Sequence, residues 1–235
     1  MSIDDTEYSS LQAPFKKNTN LSLAHLTNLI PSESEWVYFY VVTTIKNHGG
    51  RFVQTGSAPN FEGGYITLCT CKHQMRTFFS PEEWLGKWVA GFSTTKASGG
   101  AQAIVYLMKI GMAFESFDSL WRTGSVPKET KSMKLATAHR QGDFFKPLPG
   151  NTKGPFDPEH YSPPVIGHCH YDSNKWHGDI AYPKGKRPPA LLIGDPKYSF
   201  TWDTPSLFFP KKIPRGQSKL QLSDFLNRLN EMKNK

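Results

Sequence analysis

The sequence is poor in cysteine and has no long apolar segment. Three of its 235 residues are cysteines, and two of them, Cys69 and Cys71, stand in the stretch CTC. So few cysteines do not form a disulfide framework, which favours a reduced, cytoplasmic location. No stretch approaches the roughly 18 apolar residues of a membrane-spanning helix, and the acidic N-terminus MSIDDTEYSS lacks the pattern of a secretory signal. We therefore expect no association with a membrane.

Familiar catalytic and nucleotide-binding motifs are also missing. The chain contains no G-x-x-x-x-G-K-[ST] and no G-x-G-x-x-G after a strand, which excludes the P-loop and the dinucleotide-binding fingerprint. It contains neither G-x-S-x-G nor H-E-x-x-H, the signatures of common hydrolases. Any chemistry must therefore come from a less familiar arrangement of side chains.

Proline, glycine and aromatic residues are plentiful instead. The 18 prolines and 19 glycines favour many turns and ordered loops, and a hydrophobic content of 37% is enough for a packed interior. Apolar runs predict strands at residues 36–45, 63–71, 84–93, 101–114 and 190–202. Apolar patterns predict two short helices, one that Asn20 or Ser22 can cap and that ends before Pro31, and one at 116–123 that Ser116 can cap. This pattern predicts an α+β fold on a mixed or barrel-like sheet with short flanking helices.

Composition divides the chain into three parts. Residues 1–18 are polar and aperiodic, which predicts a disordered or loosely attached segment. Residues 19–216 form one predicted domain, in which 124–189 hold many prolines and most of the histidines and are interpreted as a long functional insertion. Residues 217–235 are predicted to form a basic amphipathic helix, because apolar residues recur there at i, i+3, i+4 and i+7.

The positive charge is concentrated near the C-terminus. The net charge is +8, and residues 184–235 contain eleven Lys and Arg against four Asp and Glu. A basic surface attracts phosphate backbones, so DNA or a nucleotide is the expected partner, although a solvated surface would have the same composition. The candidates for nucleic-acid contact are Lys184, Lys186, Arg187, Lys211 and Lys212.

The most unusual stretch is GHCHYDSNKWHGD at residues 167–179. Its histidines can ligate a divalent ion, act as a general acid or base or grip a phosphate, or simply hold the loop by hydrogen bonds. No second spaced ligand pair accompanies them, so we predict no metal and no cofactor. His168, His170 and Asp172 are the catalytic candidates. Trp176 can stack on a base, with a place in the core as the alternative.

A second candidate segment is TGSAPNFEGGYITLCTCKHQMR at residues 55–76. Its turn-rich start can present backbone amides and short side chains of Gly56, Ser57 and Asn60 to a phosphate or base edge. Lys72 and Arg76 would add positive charge at the end of the following strand. The alternative is an ordinary hairpin with bases that face solvent.

Several consecutive segments follow the order of a known family. They are GSAPNFEGGYITLCTCKHQMR, WVAGFSTTKASGG, IVYLMKIGMAFESFDSLW, the more loosely matching GHCHYDSNKW, and ALLIGDPKYSF. Together they resemble the nucleotide modification associated domain 2 family of bacteria and phages, over residues 36–210. The family's Gly-Asp-Asn in the late loop is Gly-His-Cys here. The resemblance implies a role in the synthesis, handling or recognition of modified bases.

One of these segments resembles a second group of proteins. The stretch WVAGFSTTKASGGAQAIVYLMKIG is similar to PUA-like reader domains of the EVE, ASCH and YTH type. That resemblance implies a small β-barrel with an aromatic pocket for an extruded base.

Three hypotheses follow for the function. The first is an enzyme that modifies DNA bases or nucleotides in phage–host systems by a transferase or glycosidase-type reaction, which the dense histidine and aspartate loop favours. The second is a non-catalytic reader that binds a modified or flipped base. The third is an interaction component of a phage or anti-phage operon, with the C-terminal helix docking a protein partner.

Overall fold

The computed structural model describes residues 9–10, 16–31, 34–168, 175–182, 186–214 and 216–231. The candidate residues His170, Asp172 and Lys184 lie outside these ranges, as does most of the segment 1–18. The chain divides into two compact units. The first unit consists of Met1–Thr55, Gly86–Ile110 and Gly194–Lys235, and the second unit consists of Gly56–Leu85 and Gly111–Ile193.

The fold is α+β, as the sequence predicts. The strands are β1 (Ser9–Ser10), β2 (Trp36–Val41), β3 (Ile45–His48), β4 (Arg51–Gln54), β5 (Thr67–Leu68), β6 (Trp88–Phe92), β7 (Ile104–Phe114), β8 (Leu191–Thr201), β9 (Leu207–Phe208), β10 (Gln217–Gln221) and β11 (Asn230–Glu231). A six-stranded sheet has the order β10-β2-β6-β7-β8-β5. It is mixed, because β2 and β6 are parallel whereas β10 with β2 and β6 with β7 are antiparallel. The strands do not close, so the mixed sheet is confirmed and the barrel is not.

The helices are short. They are α1 (Leu23–Leu29), α2 (His73–Arg76), α3 (Pro81–Trp84), α4 (Phe117–Arg122), α5 (Lys128–Met133) and α6 (Leu222–Arg228). The predicted caps are confirmed, since Ser22 caps α1 and Ser116 forms a capping box on α4. Among the described residues, no helix has the length and apolar character needed to cross a bilayer.

Three predicted strands begin or end elsewhere. The strand predicted over 63–71 is reduced to β5, Thr67–Leu68, and local features move the bounds of two others. The strand predicted from residue 84 starts at Trp88, because Pro81 and the capping box of Ser80 with Glu83 place Trp84 in α3. The strand predicted over 36–45 ends at Val41, and a turn separates it from β3. In both cases local turn and cap chemistry overrides the apolar pattern.

The first unit is built around aromatic side chains from distant parts of the sequence. Phe39 on β2 lies 5.3 Å from Phe209 and 5.5 Å from Phe225, measured between ring centroids. Phe92 on β6 lies 5.9 Å from Phe225. Such tilted and edge-on pairs stabilise a core beyond the burial of their area. The apolar run WVYFYV forms β2 because both faces of this strand are largely buried.

The C-terminal segment differs from the helix predicted over 217–235. Residues Gln217–Gln221 form β10, which pairs antiparallel with β2, and only Leu222–Arg228 are helical. The backbone of β2 would otherwise be an unpaired edge, and strand pairing satisfies its polar groups. The predicted apolar stripe is present, but Leu222, Phe225 and Leu226 are buried in the first unit's core.

The second unit has a separate core, and the predicted insertion supplies much of it. Buried side chains of this core include Phe144, Phe145, Tyr161, Trp176 and Ile180. The stretch 124–189 therefore contributes to a hydrophobic core and is not only a surface loop. Because irregular backbone needs hydrogen-bond partners when it is buried, the unit requires buried polar side chains as well as apolar ones.

Gly91→Ala is expected to lower the free energy of unfolding by about 1–3 kcal/mol, the usual cost of overpacking a core. A Cβ at Gly91 would overlap Cε1 of Tyr106 and lie 2.7 Å from Cγ2 of Val42. The Tyr106 ring cannot yield easily, because its hydroxyl is hydrogen-bonded to that of Tyr40 at 2.9 Å. Urea denaturation measures the change. Gly216→Ala, which has open space around its Cβ, is the control and should leave stability nearly unchanged.

Candidate functional site

Most of the candidate residues that are described lie in the second unit. These are Gly56, Ser57, Asn60, Lys72, Arg76, His168, Trp176, Lys186 and Arg187. Lys211 and Lys212 belong to the first unit. The site described below is therefore built from the second unit alone.

His168 is held in one tautomer by its surroundings. Its Nδ1 lies 3.0 Å from the backbone oxygen of Arg140, an atom that can only accept. Nδ1 therefore carries the proton and donates it. The hydroxyl of Ser57 lies 3.2 Å from the same nitrogen and 3.4 Å from the Arg140 oxygen. Burial lowers the pKa of His168, so the ring is neutral near pH 7 and its Nε2 bears a lone pair.

The Nε2 of His168 has no hydrogen-bond partner among the described residues, although the side chain is almost fully buried. The aromatic ring of Phe145 packs edge-on against the imidazole, with centroids 5.5 Å apart. Trp176 in turn packs on Phe145 at 5.3 Å. The ring of His168 is thus fixed, and its acceptor nitrogen has no donor among the described residues. Trp176 is buried, which accords with the core alternative for this residue.

Arg76 is completely buried, not exposed at a strand end. Its Nε donates to the backbone oxygen of Cys71 at 2.7 Å, and its Nη1 donates to that of Ala190 at 2.7 Å. The Nη2 has no partner among the described residues. The positive charge opposes the effect of burial on the pKa of Cys71 and Tyr182. The guanidinium therefore joins two segments of the unit, and it also hydrogen-bonds the side chain of Tyr182.

Asp179 lies in the same neighbourhood. It accepts a hydrogen bond from Nε2 of His73 at 2.9 Å. Its carboxylate acts on the pKa of His168, in the direction opposite to burial. Burial, with added repulsion from carboxylates including Asp179, raises the pKa of the Cys71 thiol to about 12. Asp179 therefore lies within electrostatic range of both His168 and Cys71, and the thiol remains protonated at neutral pH.

Asn60 is a structural link whose polar atoms are all used. Its Nδ2 donates to the backbone oxygen of Gln141 at 2.8 Å, and its Oδ1 accepts from Nζ of Lys134 at 2.6 Å. Lys134 is completely buried and also donates to the backbone oxygen of Tyr65 at 2.8 Å. Burial lowers the pKa of Lys134 to about 7.

Part of the chain matches a known protein family. Residues 35–147 match the family model of nucleotide modification associated domain 2. This confirms the resemblance for that stretch and associates the protein with nucleotide modification. No significantly similar curated protein or solved structure was found.

The matched stretch of nucleotide modification associated domain 2 contains Ser57, Asn60 and Arg76, whereas His168 lies beyond its end. It also contains two residues that sequence reasoning missed, Lys134 and Asp143. They stand in a segment without apolar periodicity or a known motif, so no local signal marks them as buried.

Asp143 is the second missed residue within the stretch that matches the family model. Its carboxylate accepts hydrogen bonds from the hydroxyls of Thr67 (2.8 Å) and Thr70 (2.7 Å). The backbone N–H groups of Cys69 and Thr70 donate to it as well, each at 3.0 Å. Burial raises the pKa of Asp143 to about 6, and the positive charge of Lys134 acts in the opposite direction. These contacts hold β5 and the turn after it against the segment around residue 143.

The remaining two substrate-binding candidates are more accessible. Gly56 is half-buried in the turn before Ser57. Lys72 adopts a left-handed backbone conformation with a φ of 56° at the start of α2, and burial lowers its pKa. Their contact with a substrate stays a prediction.

The basic residues are divided between the units. The first unit contains 15 Lys and Arg against nine Asp and Glu, and the second contains 13 against 11. Lys186 and Arg187 are exposed, and Arg187 lies 3.7 Å from the Glu83 carboxylate. Lys211 and Lys212 are exposed in the first unit. Most of the net positive charge thus belongs to the first unit, and contact with nucleic acid stays a prediction.

A metal-binding cluster is not found in the part of the chain that the structure describes. No group of three or more His, Cys, Asp or Glu side chains there is arranged to hold a metal ion. His170 and Asp172 lie outside that part.

Proposed function

We propose that the second unit binds a nucleobase, free or within DNA, and takes part in its modification. One observation carries the proposal. Among the described residues of the second unit, the buried side-chain atoms without a hydrogen-bond partner are Nε2 of His168 and Nη2 of Arg76. One is an acceptor and the other is a donor, and both residues are site candidates from the sequence.

Unpaired buried polar atoms are costly, about 1–3 kcal/mol each, and in folded proteins they mark strain, a catalytic role, or the position of a bound water or ion. Nucleobases present donors and acceptors side by side along their edges. An acceptor such as Nε2 of His168 and a donor such as Nη2 of Arg76 are the kinds of group that pair with such an edge. This assignment changes the role expected for Arg76, from a phosphate contact to a buried donor for the base.

The neutral imidazole also supports catalysis over simple recognition. A nitrogen lone pair that is buried, fixed in one tautomer and unprotonated at neutral pH is suited to accept a proton from a base, a hydroxyl or water. Ser57 and the Arg140 carbonyl maintain this tautomer by their contacts with Nδ1. A transferase or glycosidase-type reaction can use such a base. His170 and Asp172 remain catalytic candidates from the sequence.

His168→Asn is expected to weaken nucleobase binding about tenfold, because one buried hydrogen bond contributes about 1–3 kcal/mol. The asparagine amide can replace Nδ1 as donor to Arg140, so the melting temperature should change little. Isothermal titration calorimetry with the four deoxynucleoside monophosphates and a single-stranded DNA oligonucleotide measures the affinity. His48→Asn, an exposed histidine of the first unit, is the control and should bind as the wild type does.

Unchanged affinity in the folded His168→Asn protein would reject the role of Nε2, and a wild type that binds none of these probes would reject the proposal itself. Mass spectrometry of the incubated DNA bases separates enzyme from reader. Conversion that His168→Asn abolishes supports the enzyme. Binding without any conversion by the wild type supports the non-catalytic reader instead.

The third hypothesis, a protein partner docked on the C-terminal helix, gains no support from the described contacts. The apolar side chains of α6 are buried in the core of the first unit. Deleting residues 217–235 would also remove β10 from the edge of β2, so that deletion would damage the sheet as well as any docking surface.

A further inference from the structure

The apolar side chain of Ile166 projects from the second unit almost entirely into solvent. It is 94% exposed, whereas the other exposed large apolar side chains among the described residues are between 39% and 51% exposed. Those side chains rest partly on the protein, and Ile166 has almost no contact of this kind. Because turns are usually built from glycine, proline, asparagine, aspartate or serine, local folding does not account for an isoleucine here.

Ile166 lies in a closed turn over residues 165–168. The backbone N–H of His168 donates to the oxygen of Val165 at 3.2 Å, which joins the two ends of the turn. Gly167 has a φ of 93°, and a type II turn places a positive φ at this position. The turn therefore has a defined backbone conformation, with Ile166 and Gly167 as its two central residues.

The turn is also fastened to the rest of the second unit. The N–H of Val165 donates to the backbone oxygen of Ala136 at 2.9 Å, and Ala136 is completely buried. Nε of Arg140 donates to the backbone oxygen of Ile166 at 3.2 Å. These two hydrogen bonds hold the backbone of the turn, so the side chain of Ile166 is presented in a fixed position.

The same turn ends at His168, whose buried Nε2 has no hydrogen-bond partner among the described residues. Because consecutive Cα atoms are about 3.8 Å apart, the Cα atoms of Ile166 and His168 are separated by at most about 7.6 Å. Successive bases of a DNA strand are about 3.4 Å apart along the axis. The exposed isoleucine and the buried acceptor therefore lie within about two base steps of each other.

A single projecting apolar side chain differs from the surface of a protein–protein interface. Val165 is half-buried and His168 is buried. Ile166 is therefore the one large apolar side chain that the turn exposes. Interfaces between proteins bury several apolar side chains in one patch, whereas proteins that unstack DNA insert apolar wedges such as isoleucine between base steps. The turn therefore favours a DNA duplex as its partner.

We propose that Ile166 enters the base stack of duplex DNA and separates the bases beside the one that His168 contacts. The inference rests on the proposed function and adds its substrate class, a base that is extruded from a duplex. A protein that acts on a paired base must first move it out of the stack, which costs free energy. An apolar wedge offsets this cost by packing against the neighbouring bases.

The test uses the full chain, short DNA duplexes with 2-aminopurine at one internal position, and the matching single strands. Ile166→Ala is expected to weaken duplex binding about tenfold, measured by fluorescence anisotropy, and to abolish the rise in 2-aminopurine fluorescence that reports unstacking. Its affinity for single strands should be unchanged, because no pair has to be opened there. Ile166→Leu keeps an apolar wedge and should behave as the wild type. Leu85→Ala, which truncates a half-exposed apolar side chain of the same unit, is the control.

The outcomes separate this proposal from the preceding one. Ile166→Ala that binds duplexes as the wild type does, or that weakens single strands equally, overturns the wedge and leaves a protein contact as the remaining interpretation of the turn. A wild type that binds single strands or nucleotides but not duplexes also overturns the wedge, and it retains the proposed function. A wild type that binds none of the probes rejects both.

Discussion

Asp143→Ala is expected to lower the free energy of unfolding by about 3–5 kcal/mol, the usual cost of breaking a buried charge network by removing one partner. The carboxylate accepts four hydrogen bonds, from Thr67, Cys69 and Thr70. Without it, two hydroxyls and two backbone N–H groups lose their acceptor in a site that water does not reach. Lys134 would also lose the nearest negative charge that favours its protonated form. Urea denaturation followed by circular dichroism measures the change.

Two further variants show whether the effect comes from the network. Asp143→Asn keeps the shape and one acceptor oxygen, so its loss of stability should be smaller than that of alanine. Glu115→Gln removes an exposed carboxylate from the same unit and should change stability by less than about 0.5 kcal/mol. An alanine variant as stable as Glu115→Gln would mean that the four hydrogen bonds contribute nothing net to folding.

The elements that could be predicted from the sequence depend on local signals. The helix α4 follows from Ser116 and the spacing after it, and β8 follows from an apolar run. The strand β10 could not be predicted, because its sequence, QSKLQ, has no strand signal and pairs with β2 about 180 positions away. This segment is a strand because it pairs with β2, whose edge would otherwise be unpaired.

The sequence indicates candidate residues for the site, but it does not indicate how they are arranged. His168 and Arg76 were selected for their chemistry, yet the burial of Arg76 and the tautomer of His168 depend on carbonyl oxygens of Cys71 and Arg140. Backbone acceptors carry no sequence signature. Lys134 was missed for a related reason. A lysine is almost never fully buried without partners, and its partners Asn60 and Tyr65 are about 70 positions away.

Lys134→Met is expected to change both the free energy of unfolding and the way in which this free energy depends on pH. The pKa of Lys134 is about 7 in the folded protein and near 10.5 in the unfolded chain. Between these values the unfolded chain holds a proton that the folded protein has released. Where the unfolded chain binds more protons than the folded protein, the free energy of unfolding rises with pH. For Lys134 this rise in the wild type is on the order of a few kcal/mol over the whole window. Below pH 7 both states are protonated and this dependence ends.

The comparison is made by urea denaturation at intervals from pH 8 to pH 10, with Lys96→Met as the exposed control. The wild type and Lys96→Met should show the same rise of unfolding free energy with pH, and Lys134→Met should show a flatter profile. Its stability near pH 7 should also fall, because Asn60 and Tyr65 would lose their donor. Parallel profiles for all three proteins would place the pKa of Lys134 at its ordinary value. The amine would then be stabilised as a cation by its three oxygen acceptors, and burial would not be the dominant influence on its protonation.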